Sequence, residues 1–199
     1  MKNRNSKLAA AIAVLIEIIL ITSVILCIIS KQWSKLALLF LAVVCIIVPF
    51  IITGIADKKD IVLPSSFQLI SVLFVILAQY FGEIKNFYLT FWWWDLLLHT
   101  ISGSYAVIIA LYLIKGIIIK EKDATMQRFT FFALIFSFCF SIALGTLWEM
   151  FEFTGDYLFK TTMVKGGLED TATDLIVKII AALITSIMCY YHKLRNPKQ

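Results

Sequence analysis

Long apolar runs, separated by short polar stretches, dominate the chain. Six of these runs reach the roughly 20 residues that a helix needs to cross a hydrocarbon core about 30 Å thick. They cover residues 8–30, 36–55, 64–82, 91–114, 129–153 and 171–191. Every connection is short except 115–128 and 154–170, so no soluble domain fits between the runs. The pattern predicts an all-α, polytopic transmembrane helical bundle with six spans, forming a single domain over residues 1–199.

The composition places the chain in a lipid bilayer. The 199 residues are 61% hydrophobic and only 16% charged, with a mean hydropathy of +0.91, whereas soluble domains are about half apolar and a quarter charged. Lys2, Arg4 and Lys7 precede the first run as they would in a signal peptide. That run is nevertheless longer than the apolar region of about 7–15 residues in a cleaved signal. We therefore expect it to remain as a membrane anchor.

Basic residues between the spans predict the orientation. Twelve Lys and Arg residues lie at the two termini and in the second and fourth loops, whereas five lie in the other three loops. Since basic residues are retained on the cytoplasmic side, both termini are expected to be cytoplasmic in a multi-pass protein of the cell membrane. The net charge of +5 is explained by contact with anionic headgroups and indicates no nucleic-acid partner.

Three polar motifs interrupt the last three spans, all at the predicted outer ends. They read FWWWDLLLHTISG (91–103), TLWEMFEFTGD (146–156) and GGLEDTATDLIVK (166–178). One pair of ionisable residues in each motif is three or four positions apart, a spacing that puts the pair on one face of a helix. The pairs are Asp95 and His99, Glu149 and Glu152, and Asp170 and Asp174. Polar residues inside a membrane usually face the bundle interior and indicate a functional site. The candidate site residues are Asp95, His99, Glu149, Glu152, Asp170 and Asp174.

Charge balance restricts what these residues can form. Five carboxylates would face only Lys178 and whatever proton His99 holds, which a medium of low dielectric constant does not tolerate. Either some carboxyl groups are protonated or the cluster binds a cation. A mixed set of imidazole and carboxylate ligands suits a divalent metal ion. A structural reading stays open as well, because Asp170 at a helix start can cap free N–H groups and the tryptophans suit an aromatic belt at the headgroups.

The motifs DLLLHTISG, WEMFE and EDTATD resemble the YjdF-type bacterial membrane proteins and, more distantly, the VanZ-like family linked to glycopeptide resistance. The resemblance covers about residues 91–185 and rests on the order Asp-x3-His-x3-Gly, Glu-x2-Glu and Asp-Thr-x2-Asp. Leu96, Glu152 and Lys178 depart from the VanZ-like pattern, which has Lys, Gln and Asn at these points, and favour the YjdF-type assignment. The YjdF-type resemblance implies no established activity.

Three functions are compatible with such an acidic, outward-facing pocket. In the first, the protein is a metal-assisted hydrolase or transferase acting on a lipid-linked, amphiphilic substrate of the cell envelope. His99 and two or three of the carboxylates would then hold the metal, and Glu149 or Glu152 would act as general base on bound water. The alternatives are a proton- or ion-coupled transporter and a membrane scaffold with a structural polar network. The sequence leaves the oligomeric state open.

Overall fold

A computed structural model describes residues 4–31, 33–117, 125–159, 164 and 167–195, and this part of the chain is helical with no strand. The helices are α1 (Arg4–Ile29), α2 (Trp33–Lys58), α3 (Phe67–Val75), α4 (Phe87–Thr90), α5 (Trp94–Ile117), α6 (Met126–Phe159) and α7 (Leu168–Arg195). Helix α3 continues directly as a π-helix over Ile76–Ile84. Six segments are long and apolar enough to cross a membrane, which confirms the predicted fold class. They are Arg4–Ile29, Leu38–Lys58, Phe67–Ile84, Trp94–Ile114, Gln127–Leu158 and Leu168–His192. Residues 1–3 and 196–199, whose cytoplasmic location the sequence predicts, lie outside the described residues.

Helix α6 is longer than the sequence pattern indicates. The apolar run ends at Phe153, but the helix includes the turn-forming sequence that follows and ends at Phe159. The Thr154 hydroxyl donates to the carbonyl of Met150 at 2.6 Å, and the Asp156 carboxylate accepts a hydrogen bond from the backbone N–H of Val164 at 2.9 Å. These side chains are thus satisfied within or just beyond the helix, which removes their competition with its backbone.

Helix α7 starts at Leu168, three residues before the predicted start of the span. Glu169 and Asp170 therefore lie in its first turn and not before it. Negative charge in that turn is favourable because the free N–H groups give the helix N-terminus a partial positive charge. The capping role considered for Asp170 from the sequence stays a prediction.

The chain divides into two compact units, Met1–Trp94 and Asp95–Gln199. The first contains α1, α2, α3 with its π-helical extension, and α4. Its core consists of small and branched apolar residues from three helices, namely Ala13, Leu20, Leu39, Ala42, Ile46, Val72 and Ile76. Their other faces are apolar and exposed, as expected for helices whose outer surface contacts lipid tails. The expectation that one domain spans the whole chain stays a prediction.

The second unit contains α5, α6 and α7 and holds all six candidate site residues. Helices α6 and α7 pack along each other, and the buried Ser141 hydroxyl of α6 donates to the Gly103 carbonyl of α5 at 2.8 Å. Small residues line the contacts, including Ala110 and Ala182, which are both fully buried. Small side chains let helix backbones approach closely, which is the main source of packing energy between helices in lipid.

Candidate metal centre

His99 is the centre of a cluster of carboxylates contributed by all three helices of the second unit. Its Nε2 atom lies 3.3 Å from Asp95 Oδ1, one turn earlier on α5, and 3.6 Å from Asp174 Oδ2 on α7. On the other side of the ring, Nδ1 lies 3.7 Å from Glu149 Oε1 on α6. The helices reach this arrangement because α5 and α7 begin, and α6 ends, on the same side of the unit. The structure therefore brings together four of the six predicted site residues.

Three of the four clustered residues are almost completely buried. His99 and Glu149 are each 5% exposed and Asp174 is 3% exposed, whereas the Asp95 side chain keeps 30% of its surface. Asp95 is thus the member through which the cluster meets the exterior. His99 Nδ1 and Glu149 Oε1 are buried without a hydrogen-bond partner among the described residues, although they face each other. Buried polar atoms are rarely left unsatisfied, and such atoms in a native site call for a missing water, ion or ligand.

Three of these residues have the geometry of a metal site. Asp95, His99 and Asp174 can each offer one ligand atom such that all three atoms lie within 4.8 Å of one another. With metal–ligand bonds of about 2.1 Å, two ligands of one ion are at most about 4.2 Å apart. Small side-chain adjustments would therefore complete the site. The donor set, one imidazole nitrogen and two carboxylates, fits zinc, manganese or iron.

Glu149 lies on the other side of the His99 ring from Asp95 and Asp174. It approaches Nδ1, the nitrogen that a metal bound at Nε2 leaves free. Metal-bound histidines usually donate their second N–H to a carboxylate, which fixes the ring and its tautomer. The geometry therefore suits Glu149 as the residue that orients His99.

Glu152 and Asp170 are not within 4 Å of the His99 ring nitrogens. Glu152 is partly buried and accepts a hydrogen bond from Trp148 Nε1 at 2.9 Å. It interacts electrostatically with Glu149, Asp95 and Asp174, so it lies beside the cluster. Asp170 is also partly buried and interacts electrostatically with Glu149 and Asp174. Both residues contribute charge to the centre from its edge.

The tryptophans differ in their environments. Trp92 is 82% exposed, as expected for a residue of an aromatic belt, but Trp94 is only 7% exposed. The Trp94 ring packs against Phe87 and Phe81 at centroid distances of 4.9 and 6.5 Å. Trp94 is therefore a packing residue, and Trp148 is a hydrogen-bond donor to Glu152 at the edge of the cluster.

Sequence reasoning missed two supporting residues of α6, Ser141 and Gly145. Ser141 ties α6 to α5 through the carbonyl of Gly103, and Gly145 faces the side chain of Lys178. Helical spacing could have identified them, because Ser141, Gly145 and Glu149 follow one another at intervals of four residues and so share one face of the helix.

Comparison with known proteins gives a family and a distant relative. Residues 11–195 match the family described as "Predicted membrane protein (DUF2238)". An uncharacterized protein of Thermotoga maritima is 28% identical over 139 residues, which are 70% of this chain and 65% of the relative. The chain thus matches less than two thirds of that relative's length. No solved structure matches the chain.

Proposed function

Since the chain belongs to the predicted membrane protein family DUF2238, which is defined without an activity, we propose a function from its centre: a metal-assisted hydrolase or transferase of the bacterial cell membrane. The observation that carries the proposal is the His99 ring, held between Asp95 and Asp174 on one nitrogen and Glu149 on the other, all within 3.3–3.7 Å. Buried carboxylates of this number that stay ionised need a compensating cation. A divalent ion provides it and also activates water.

Each residue of the centre has a distinct role in this proposal. Asp95, His99 through Nε2, and Asp174 hold the metal, and Glu149 orients the imidazole. Glu152 lies beside them without contacting the ring, so it is the carboxylate left to act as general base. The metal, when bound, would polarise the substrate and lower the energy needed to form a hydroxide. This assignment narrows the choice between Glu149 and Glu152 that the sequence leaves open.

A cavity between α6 and α7, the helices that carry Glu149 and Asp174, supports an amphiphilic substrate. An apolar cavity of about 380 Å³ lies between α6 and α7 and is lined by Phe131, Leu134, Leu183, Ser186 and Tyr190, among others. It is more than twice the volume of a cavity of roughly 150 Å³ that holds benzene. It lies along the same pair of helices as Glu149 and Asp174, toward their other ends. A substrate with a polar group at the centre and an apolar chain along α6 and α7 would use both features.

The outward-facing location follows from the distribution of basic residues and is part of the proposal. With both termini cytoplasmic, the start of α5 and the end of α6 lie on the outer side of the membrane. The substrate would then be a lipid or lipid-linked compound of the outer leaflet. The similarity to YjdF-type proteins agrees with this location and adds no chemistry.

Metal content tests the proposal most directly. We expect the detergent-purified protein to contain stoichiometric divalent metal by inductively coupled plasma mass spectrometry, and His99→Ala and Asp174→Asn to lose it. Glu169→Gln is the matched control, because it removes an exposed carboxylate from the first turn of α7 outside the cluster. Glu152→Gln should keep the metal and lose turnover in a screen of lipid-linked substrates. A wild-type protein that stays metal-free after dialysis against zinc, manganese and iron would refute the proposal and favour a structural polar network.

A further inference from the structure

Lys178 is a buried lysine that the proposed mechanism does not use. It follows Asp174 by one turn on α7 and is only 5% exposed. Isolated charges are rare inside membrane proteins and usually have a functional role. The position of this side chain therefore needs a reason.

Two glycines leave room for the lysine side chain. A Cβ atom at Gly103 of α5 would lie 2.9 Å from Lys178 Cγ and 3.0 Å from the Lys178 carbonyl oxygen. A Cβ atom at Gly145 of α6 would collide with Lys178 Cδ and lie 3.4 Å from Nζ. The aliphatic stem of the lysine thus occupies space that any other residue at these two positions would fill. The three helices together form a groove shaped for this side chain.

The ammonium group lies in the field of the metal centre. Glu149, Glu152, Asp174 and Asp95 all interact with it electrostatically. In the part of the chain that the structure describes, however, no carboxylate oxygen lies within 4.0 Å of Nζ in an ion pair. The Lys178 side chain therefore interacts with several carboxylates of the cluster and forms a close ion pair with none of them.

We propose that Lys178 is the internal counter-charge of the centre and takes the place of a second metal ion, so that the centre binds one divalent cation. This inference rests on the proposed function. Three carboxylates, Asp95, Glu149 and Asp174, surround the His99 ring. One divalent ion together with one ammonium group balances their three negative charges when the imidazole is neutral. Among the described residues, one group of three ligand atoms, from Asp95, His99 and Asp174, is close enough to hold an ion. The geometry thus offers one ion site, and Lys178 supplies the further positive charge beside it.

Binding of Mn²⁺ tests both the number of ions in the centre and the effect of the Lys178 charge on affinity. Manganese is suitable because it accepts carboxylate and imidazole ligands and is paramagnetic. We expect the wild type to bind one Mn²⁺ per chain, with the electron paramagnetic resonance spectrum of an isolated ion. Lys178→Met keeps an unbranched apolar stem in the groove and removes the charge. Its affinity for Mn²⁺ should rise at least about tenfold, because a unit charge near a divalent ion repels it strongly at low dielectric constant.

Two further variants separate the role of the charge from its side effects. Lys59→Met removes an exposed lysine from the turn that follows α2 and should leave the affinity unchanged. Gly145→Ala keeps the lysine but displaces it from the groove, so its affinity for Mn²⁺ should differ from that of the wild type. Size-exclusion chromatography and circular dichroism would identify any variant that does not fold.

The outcomes distinguish this proposal from the one on which it rests. Two magnetically coupled Mn²⁺ ions in the wild type would overturn the inference without any variant. One bound ion with the same affinity in folded Lys178→Met would also overturn it, and a lower affinity would make Lys178 a ligand. Each of these results leaves the metal centre intact. A wild type that binds no Mn²⁺, zinc or iron would instead refute the proposed function.

Discussion

Replacing Gly103 by alanine should destabilise the second unit, and the size of the effect follows from the contacts. The added Cβ would lie 3.0 Å from the carbonyl oxygen and 3.4 Å from the Cα of Lys178. Because these are backbone atoms of α7, rotation of a side chain cannot relieve the contact. Overpacking of this kind costs about 1–3 kcal/mol, against a gain of about 1 kcal/mol for alanine over glycine in a helix. The expected net loss is therefore up to about 2 kcal/mol.

Gly54 of α2 provides the matched control, because a Cβ there would meet nothing within 4 Å. Gly54→Ala should gain stability from helix propensity alone, so the two variants should differ by about 1–3 kcal/mol. Unfolding of the purified protein in mixed micelles with increasing sodium dodecyl sulfate, followed by circular dichroism, measures the difference. If Gly103→Ala proves as stable as Gly54→Ala, the close approach of α5 and α7 at Lys178 is wrong.

Further predictions concern the surroundings of the centre. Ser141→Ala removes the hydrogen bond to Gly103 and should lower the free energy of unfolding in the same assay by about 0.6 kcal/mol, the mean for such bonds in membranes; an unchanged value would refute a stabilising role. Trp148→Phe deletes the donor to Glu152, so we expect lower turnover at unchanged metal content, whereas loss of metal would place Glu152 among the ligands. Mn²⁺ affinity should fall as the pH is lowered, because protons compete with the metal for His99 and the carboxylates; a flat profile between pH 8 and about pH 5, measured by equilibrium dialysis, would contradict a histidine ligand.

The architecture could be predicted because its determinant is local. A run of about 20 apolar residues is sufficient to specify a spanning helix, and all six such runs are found as helices. The ends of the helices were harder to predict. The turn-forming residues after Phe153, for example, are compatible with a helix once their side chains bond to nearby backbone. Helix α6 therefore extends to Phe159.

Helical spacing singled out the four residues that meet at His99, together with Glu152 and Asp170, but it did not predict which contacts each residue makes. Spacing puts Asp95 and His99 on one face, yet it does not say which ring nitrogen faces which carboxylate. That depends on the approach of α6 and α7, which places Glu149 at Nδ1 and Asp174 at Nε2. Long-range packing, set by residues such as Gly145, decides these contacts and leaves little trace in the local pattern.

The geometry of the cluster favours our proposal of a bound cation over a structural polar network. A structural network inside a membrane is stable when its members satisfy one another by hydrogen bonds. Here His99 Nδ1 and Glu149 Oε1 are buried at 3.7 Å from each other without such a bond. Lys178 adds a positive charge that forms no close ion pair with a described carboxylate. Polar groups that converge without satisfying one another call for a water, an ion or a ligand. A single divalent ion between Asp95, His99 and Asp174, as we propose, would be such a partner.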